Sequence, residues 1–313
     1  MEKEQKEKGK VEMFHWAIAI IAAAALTTSS VTAGGNAWSM HSRVCQKEQT
    51  SVQNPYEPGG IYENMKIVYK FGKSRVVLTS EDVVDWVRYW PDGHWDIDDA
   101  KIADYIENLQ KHFDTCDKEK FFVTTGKKQL WLKGDYGWRL DREKEVKEIS
   151  KLLRRNGTTI HPLHFLTEAS ERNRPYRDYG NSYVEIDLSR QVLWLYEEGK
   201  VTVRSDIVSG LMNTDRQTPS GIFCVKYKQS PAVLRGADYT SPVSYWMPFN
   251  GGIGLHDATW QSAFGGDLCY TKGSHGCINL PLEKAEKIYE KIEKGFPVIC
   301  SYSNPEDEKD ESI

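Results

Sequence analysis

A cysteine at position 277 lies in the stretch Gly273-Ser274-His275-Gly276-Cys277-Ile278-Asn279-Leu280-Pro281. Apolar residues recur at helical spacing after Pro281, and proline is favoured at the first position of a helix, so a helix is predicted to begin there. Cys277 would then precede a helix N-terminus, whose free N–H groups favour a thiolate. Gly273 and Gly276 allow a tight turn that brings backbone N–H groups close to a substrate carbonyl. The stretch therefore has the composition of a nucleophile site.

A thiol nucleophile needs a base, and His256 is the best candidate. It lies in Gly251-Gly252-Ile253-Gly254-Leu255-His256-Asp257, where glycines lead into an alternating, strand-like pattern. Ser274 follows 18 positions later, which leaves room for a strand end, a loop and a return. Asp257 is the neighbour of the base, but successive strand residues point to opposite faces, so a structural role is predicted for it.

The order of His256, then Ser274-His275-Gly276-Cys277 and Asn279, resembles the active-site signature of the L,D-transpeptidase (YkuD-type) family. The segments Thr218–Phe223 and Ser244–Phe249 also stand in the family's order. The resemblance implies a mainly β catalytic domain, a β-sandwich, in which Cys277 is the nucleophile, His256 is the base and no cofactor is used.

The resemblance also implies roles around this pair. Ser274 orients the base histidine, largely through its backbone carbonyl, and the N–H groups near His275, Gly276 and Cys277 hold the oxyanion. His275 either contacts substrate and shapes this site or makes a structural hydrogen bond within the turn. Tyr245 and Trp246 either line the substrate groove or a covering lid, or simply pack.

The function that the resemblance implies is transpeptidation of peptidoglycan stem peptides, as donor and acceptor, to form 3→3 cross-links with release of D-alanine. Three alternatives stay open: a carboxypeptidase or hydrolase with the same cysteine and histidine, attachment of a protein to peptidoglycan, and a wall-binding protein without activity. The third residue of the stem, meso-diaminopimelate or lysine, leaves no readable motif.

Metal binding by His256, His275 and Cys277 is not predicted, because the sequence has neither C-x-x-C nor H-x-x-x-H spacing there. The other cysteines are scattered without a framework pattern, at Cys45, Cys116, Cys224, Cys269 and Cys300. A Cys224–Cys300 pair between two strand-like segments is one option, and a Cys269–Cys277 disulfide would silence the enzyme.

The N-terminal segment predicts export. Residues 1–13 are mostly charged or polar, and 14–33 are apolar or small and long enough to span a bilayer. We expect a single-pass membrane anchor with the catalytic domain outside the cell; the alternative is a signal peptide cleaved near Ala33. The net charge of the 313-residue chain is −4 without a basic patch, so nucleic acid is not an expected partner.

Periodicity divides the rest of the chain. Residues 34–58 are a predicted linker, and 59–170 show mixed α and β patterns that include capped helices beginning near Ser80 and Asp141. Around Tyr136-Gly137-Trp138 this part resembles the peptidoglycan-binding domain of Gram-positive relatives; a spacer is the alternative. Period-2 alternation predicts that the catalytic domain spans 180–302. An acidic tail, 303–313, is expected to be disordered.

Overall fold

The computed structural model describes residues 53–236 and 240–304. The predicted tail at 1–13, the anchor at 14–33 and most of the linker at 34–58 lie outside these residues, as does the acidic tail from residue 305. Among the described helices, none combines the length and the apolar character that a bilayer crossing requires.

The part before residue 170 mixes helices and strands, as predicted. Its elements are β1 (Lys66–Phe71), β2 (Ser74–Thr79), α1 (Ser80–Val83), β3 (Val87–Tyr89), β4 (Trp95–Ile97), α2 (Asp99–Phe113), β5 (Lys120–Val123), β6 (Gln129–Leu132), β7 (Arg139–Leu140), α3 (Arg142–Leu152), β8 (Thr158–Pro162) and β9 (Phe165–Thr167). A three-stranded sheet has the order β2-β1-β8. Apolar residues of β1, α2 and α3 share one buried cluster.

The capping predictions have two outcomes. Asp141 caps α3 as expected, because its side chain accepts a hydrogen bond from the N–H of Lys144. The helix predicted from Ser80 is wrong beyond Val83. A 3₁₀ turn follows, and at Val87 the chain enters β3, where Val87 pairs with Ile97 of β4. The helix cap is Thr79, whose backbone N–H and hydroxyl both bond to Asp82.

The catalytic part is mainly β, as predicted. Its elements are β10 (Tyr183–Asp187), β11 (Val192–Glu197), β12 (Lys200–Asp206), β13 (Gly221–Cys224), β14 (Ala232–Arg235), β15 (Thr240–Val243), β16 (Trp246–Asn250), β17 (Ile253–Asp257), β18 (Ile278–Leu280), α4 (Leu282–Lys291) and β19 (Pro297–Ser301). A five-stranded sheet, β12-β11-β10-β19-β13, and a three-stranded sheet, β16-β17-β18, contribute to one apolar core that α4 completes.

Both faces of β10 are buried, although its alternating sequence suggests one polar, solvated face. Val184 and Ile186 enter the core between the sheets. On the other face, Glu185 is 1% exposed. Its carboxylate accepts hydrogen bonds from the backbone N–H and from the hydroxyl of Thr125. The segment after β5 therefore covers this sheet.

A third apolar cluster joins residues on either side of the predicted boundary at 170–180. Phe122 and Leu132 of the β5–β6 hairpin pack with Ile222 of β13 and Ile299 of β19. The placement of the domain limits stays a prediction, but these contacts show that the two segments share a packed interface.

The predicted position of Cys277 before a helix is wrong. β18 lies between Cys277 and α4, and Pro281 caps the helix four residues further on. The residues after Cys277 form a strand because they pair in parallel with β17 and because Asn279 also bridges to Val208. The dipole of α4 therefore does not act on the thiol directly.

The suggested Cys224–Cys300 disulfide is also wrong. β13 and β19 are adjacent, but Cys224 is paired with Pro297 and Cys300 with Gly221. Cys224 and Cys300 are free thiols, as are Cys116, Cys269 and Cys277. Cys45 lies outside the described residues.

Candidate active site

Two adjacent parallel strands bring His256 and Cys277 together. Leu255 of β17 pairs with Ile278 of β18, and both are fully buried in the core. His256 follows Leu255 and Cys277 precedes Ile278, so alternation turns both side chains to the opposite face of the sheet. Both line one cleft of about 200 Å³. Two residues that are 21 positions apart in the sequence thus share a site.

The thiol of Cys277 is held against the glycine-rich turn before β17. It is 8% exposed, and its Sγ lies 3.6 Å from the carbonyl oxygen of Gly252. Burial raises the pKa of Cys277 to about 11, and the N–H of Gly254 opposes this rise only in part. Burial therefore does not favour the predicted thiolate.

His256 is oriented by the carbonyl of its neighbour. The ring is 3% exposed, and Nδ1 lies 2.9 Å from the backbone oxygen of Asp257. A carbonyl only accepts, so Nδ1 carries the proton and Nε2 keeps its lone pair. Burial lowers the pKa of His256, with the Asp257 carbonyl and carboxylate opposing the shift. The residue is a neutral imidazole suited to accept a proton.

The Asp257 carboxylate has the structural role that was predicted. It is 2% exposed and accepts hydrogen bonds of 2.8 Å from the backbone N–H groups of Ser244 and Tyr245. It therefore fixes the start of β16 beside the base. The orienting group for His256 is the backbone oxygen of the same residue.

The expected contact of the Ser274 carbonyl with the base is wrong. That oxygen accepts from the N–H of Leu211 at 3.0 Å. The Ser274 hydroxyl instead holds the turn closed: it donates to the carbonyl of Cys277 at 2.6 Å and accepts from the N–H of Gly276 at 3.0 Å. The Gly276 N–H, one of the predicted oxyanion donors, therefore lies in a hydrogen bond within the turn.

Gly276 occupies a backbone conformation that favours glycine. Its φ is +115°, and a Cβ there would lie 3.0 Å from Cδ1 of Ile253. Its carbonyl accepts a hydrogen bond of 2.7 Å from the Thr218 hydroxyl, which in turn accepts from the N–H of Gly210 at 3.0 Å. Thr218 is 1% exposed. The turn before β13 is thus hydrogen-bonded to the nucleophile loop, residues 273–277.

Tyr245 does not line the cleft. Its side chain instead contacts two residues of α4. The hydroxyl donates to Glu286 at 2.7 Å, and the ring lies 5.1 Å from the ring of Tyr289. Trp246 is 6% exposed and packs behind the site, in a cluster with Cys277 and with its ring 5.8 Å from His256. Neither residue forms the open groove that was one of the two options; both are packing residues.

The cleft wall combines residues named by the sequence interpretation, such as His275, with residues that it missed, such as Trp260 and Lys272. Trp260 is 53% exposed, lines the cleft, and lies 5.9 Å from the ring of His256. Lys272 adds a cationic group to the wall. His275, which is exposed, also lines the cleft. The remaining wall residues are Leu234, Ser241, Gln261, Gly273, Ser274 and Asn279. The position of Trp260, three residues after Asp257, was the one sequence feature that could have indicated a cleft residue.

Sequence and structure comparisons agree with this site. The family model described as YkuD, the L,D-transpeptidase catalytic domain, matches residues 181–300. The crystal structure of a cysteine-to-serine mutant of Enterococcus faecium L,D-transpeptidase is 32% identical to the chain. The match covers 76% of this chain and 96% of that one, with a TM-score of 0.58. The chain belongs to the L,D-transpeptidase family.

A second solved structure gives the same result. The structure of the carbamoyl enzyme that Ldtfm forms with avibactam is 32% identical to the chain in sequence. The match covers 77% of this chain and 95% of that one, with a TM-score of 0.59. Among curated proteins, no match is found. L,D-transpeptidases are cell-wall enzymes that act on peptidoglycan stem peptides, and the chain carries their catalytic domain.

Proposed function

We propose that this L,D-transpeptidase forms 3→3 cross-links through a thioester on Cys277. One observation supports this most directly: the thiol and the imidazole lie on one face of β17 and β18 and line one cleft, with Nδ1 of His256 bonded to the Asp257 carbonyl. Nε2 is thereby left to exchange a proton with the nucleophile.

The first half-reaction consumes the donor stem. His256 Nε2 takes the proton of the Cys277 thiol while Sγ attacks the carbonyl carbon that links stem residue three to the terminal D-alanine. The tetrahedral intermediate collapses as the imidazolium returns that proton to the leaving amine. D-alanine leaves, and residue three stays attached to Cys277 as a thioester. Because both groups begin neutral, the proton moves during the attack and not before it.

The backbone N–H groups of His275 and Cys277, in the turn 274–277, are the donors that we assign to the developing oxyanion, since the N–H groups of Ser274 and Gly276 bond to the Ser209 carbonyl and the Ser274 hydroxyl. Losing one such donor typically costs about 3 kcal/mol of transition-state stabilisation. The Ser274 hydroxyl and the Thr218 hydroxyl hold this turn from two sides. Both hydroxyls affect the reaction by fixing the position of the turn, and neither is assigned a contact with substrate.

In the second half-reaction, the side-chain amine of an acceptor stem attacks the thioester carbonyl and His256 accepts the proton of that amine. An amide bond forms, the C–S bond breaks, and the imidazolium returns the proton to Sγ of Cys277. Water in place of the amine would make the enzyme a carboxypeptidase. Trp260, exposed at the cleft and next to the base, offers an apolar surface for an extended stem, and we propose that it helps to exclude water.

The deciding experiment incubates the full-length protein with tetrapeptide muropeptides and identifies the products by mass spectrometry. Cross-linked dimers and free D-alanine are the expected products. Trimmed tripeptides without dimers would assign a hydrolase, and unchanged substrate would assign a binding protein. Cys277→Ala should abolish both products, whereas Cys224→Ala, which removes a half-buried thiol from β13, is the matched control.

A covalent label provides an independent test of the nucleophile. Ldtfm is known as a carbamoyl enzyme with avibactam. We expect a carbapenem-type β-lactam to acylate the present protein at Cys277, with one adduct per chain that is absent from Cys277→Ala. An adduct that persists in this variant would contradict the assignment.

We also propose that the catalytic domain is exported and tethered by residues 14–33. Cell fractionation should find the full-length protein in the membrane. A soluble extracellular form with Gly34 as its first residue would show instead that the segment is a cleaved signal peptide.

A further inference from the structure

A buried cluster of one carboxylate and two histidines lies outside the catalytic cleft. Glu145 is on α3, His161 is on β8, and His164 is in the turn before β9. The Glu145 oxygens lie 2.9 Å from Nε2 of His161 and 2.8 Å from Nδ1 of His164. One ligand atom from each of the three residues lies within 4.8 Å of the other two. The proposed transpeptidation uses none of them.

No lysine or arginine among the described residues forms an ion pair with Glu145. The residue is fully buried, and its ion-pair partners in the described part of the chain are His161 and His164. Its carboxylate accepts hydrogen bonds from the two histidine rings and from the backbone N–H of His164. A buried carboxylate that faces two imidazole rings attracts a cation.

The ring of a buried tyrosine adjoins this cluster. Tyr69 of β1 pairs in register with His161, and its ring lies edge-on to the imidazole at 5.5 Å. The residue is fully buried, and its hydroxyl has no hydrogen-bond partner among the described residues. An unpaired buried hydroxyl needs a partner, and a ligand at this cluster would supply one.

We propose that Glu145, His161 and His164 bind a divalent cation of the zinc class. Two imidazole nitrogens and one carboxylate form a donor set that Zn²⁺ favours. A tetrahedral ion with bonds of about 2.0–2.1 Å separates its ligand atoms by about 3.3–3.4 Å. The observed distances of 2.9 and 2.8 Å join the two ring nitrogens to different oxygens of Glu145 and are a few tenths of an ångström shorter, so a small widening of the cluster admits the ion.

Binding changes the protonation of the two rings. A carboxylate only accepts, so the hydrogen bonds place protons on Nε2 of His161 and Nδ1 of His164. The cation takes the place of these protons, and each ring then carries its proton on the other nitrogen. The His164 side chain is 29% exposed, which gives the ion a path from solvent. The fourth position would hold a water or the Tyr69 hydroxyl.

The bound ion would fasten α3 to the turn between β8 and β9. Its ligands come from the helix and from both ends of the segment His161-Pro162-Leu163-His164, so it would stabilise the part of the chain before the catalytic domain. The inference stands independently of the transpeptidase assignment, because no ligand belongs to the cleft.

The test titrates metal-free, full-length protein with Co²⁺ and then displaces the Co²⁺ with Zn²⁺. It uses the Cys277→Ala background, which removes the active-site thiol as a competing ligand. We expect one Co²⁺ per chain with the visible bands of a tetrahedral ion and without thiolate charge-transfer absorption. Zn²⁺ should abolish these bands and raise the Tm of the protein.

His164→Gln separates metal binding from the hydrogen-bond network. The glutamine amide still donates to Glu145 but offers no imidazole lone pair, so the metal-free variant should keep the fold. Its Co²⁺ affinity should fall by more than the roughly 10- to 100-fold that follows loss of a hydrogen-bond partner of a ligand. His112→Gln, at an exposed histidine on α2, is the matched control and should bind as the parent does.

Failure to retain Co²⁺ or Zn²⁺ at micromolar concentrations in the folded parent would overturn the proposal and leave a purely structural hydrogen-bond cluster. Equal Co²⁺ affinity in His164→Gln would overturn it as well, since the ion would then bind elsewhere. Cross-linking activity is scored separately, so neither result depends on the proposed reaction.

Discussion

Replacing Thr218 by valine should destabilise the nucleophile loop, because it removes a hydrogen bond to Gly276. The hydroxyl of this residue joins two backbone groups, the carbonyl of Gly276 at 2.7 Å and the N–H of Gly210 at 3.0 Å. Valine has nearly the same shape but neither accepts nor donates. The backbone groups of Gly210 and Gly276 would lose this partner at a site where Thr218 is only 1% exposed.

The magnitude follows from these two lost hydrogen bonds. Leaving one buried polar group unsatisfied costs about 1–3 kcal/mol, so the free energy of unfolding should fall by about 2–6 kcal/mol. Thr218→Ser keeps the hydroxyl and removes one methyl group, which costs about 1 kcal/mol. The difference between the two variants isolates the bridging hydroxyl.

Urea denaturation gives the free energy of unfolding of each variant, and thermal unfolding gives the Tm. The valine variant should lose at least roughly 4 °C of Tm, since each kcal/mol shifts the Tm of a chain of 150 to 250 residues by about 2–4 °C. Its folded fraction should also be acylated by a carbapenem more slowly than the serine variant, because the Gly276 carbonyl is no longer held.

Two results would refute this reasoning. One is a valine variant within about 0.5 kcal/mol of wild type, the range of an ordinary surface substitution. The other is a serine variant as unstable as the valine variant, which would mean that the methyl group matters and the hydroxyl does not.

Three further predictions concern the base, its titration and a buried ion pair. His256→Gln should retain stem-peptide binding and lose about 100- to 10,000-fold in acylation rate, with a smaller loss in His275→Gln; the reverse order would make His275 the base. Burial lowers the pKa of His256 and raises that of Cys277, so the acylation rate should stay high at pH 6.5 and fall only in more acidic solution, with an apparent pKa of the pair. A midpoint above pH 7 would contradict this reasoning, because the base would then be protonated at neutral pH. Lys120→Met should lower the free energy of unfolding by about 3–5 kcal/mol, because it leaves the fully buried Asp178, 3.2 Å from the ammonium, without its partner. Adding Asp178→Asn should recover much of that loss in urea denaturation, and no recovery would argue against the pair as the cause.

The sequence alone was sufficient to predict that His256 and Cys277 share one site, and to predict the class of fold. A short motif keeps its residue types close together, so Cys277 was recognisable, and its order after His256 pointed to the family. Alternation of apolar residues predicted a mainly β domain, since period 2 is a local property of a strand. Asp141 could be assigned as a helix cap for the same reason, because a cap depends on a few neighbouring residues.

The protonation of the site and its supports were decided only by the tertiary structure. β18 forms after Cys277 because β17 lies beside it, and this strand separates the thiol from the helix, which begins after Pro281 as local periodicity predicted. Thr218 reaches Gly276 across 58 positions, and Glu145 meets His161 across 16. Such contacts depend on how distant segments pack, and the burial that shifts the pKa of Cys277 is a property of the same packing. No local pattern encodes either.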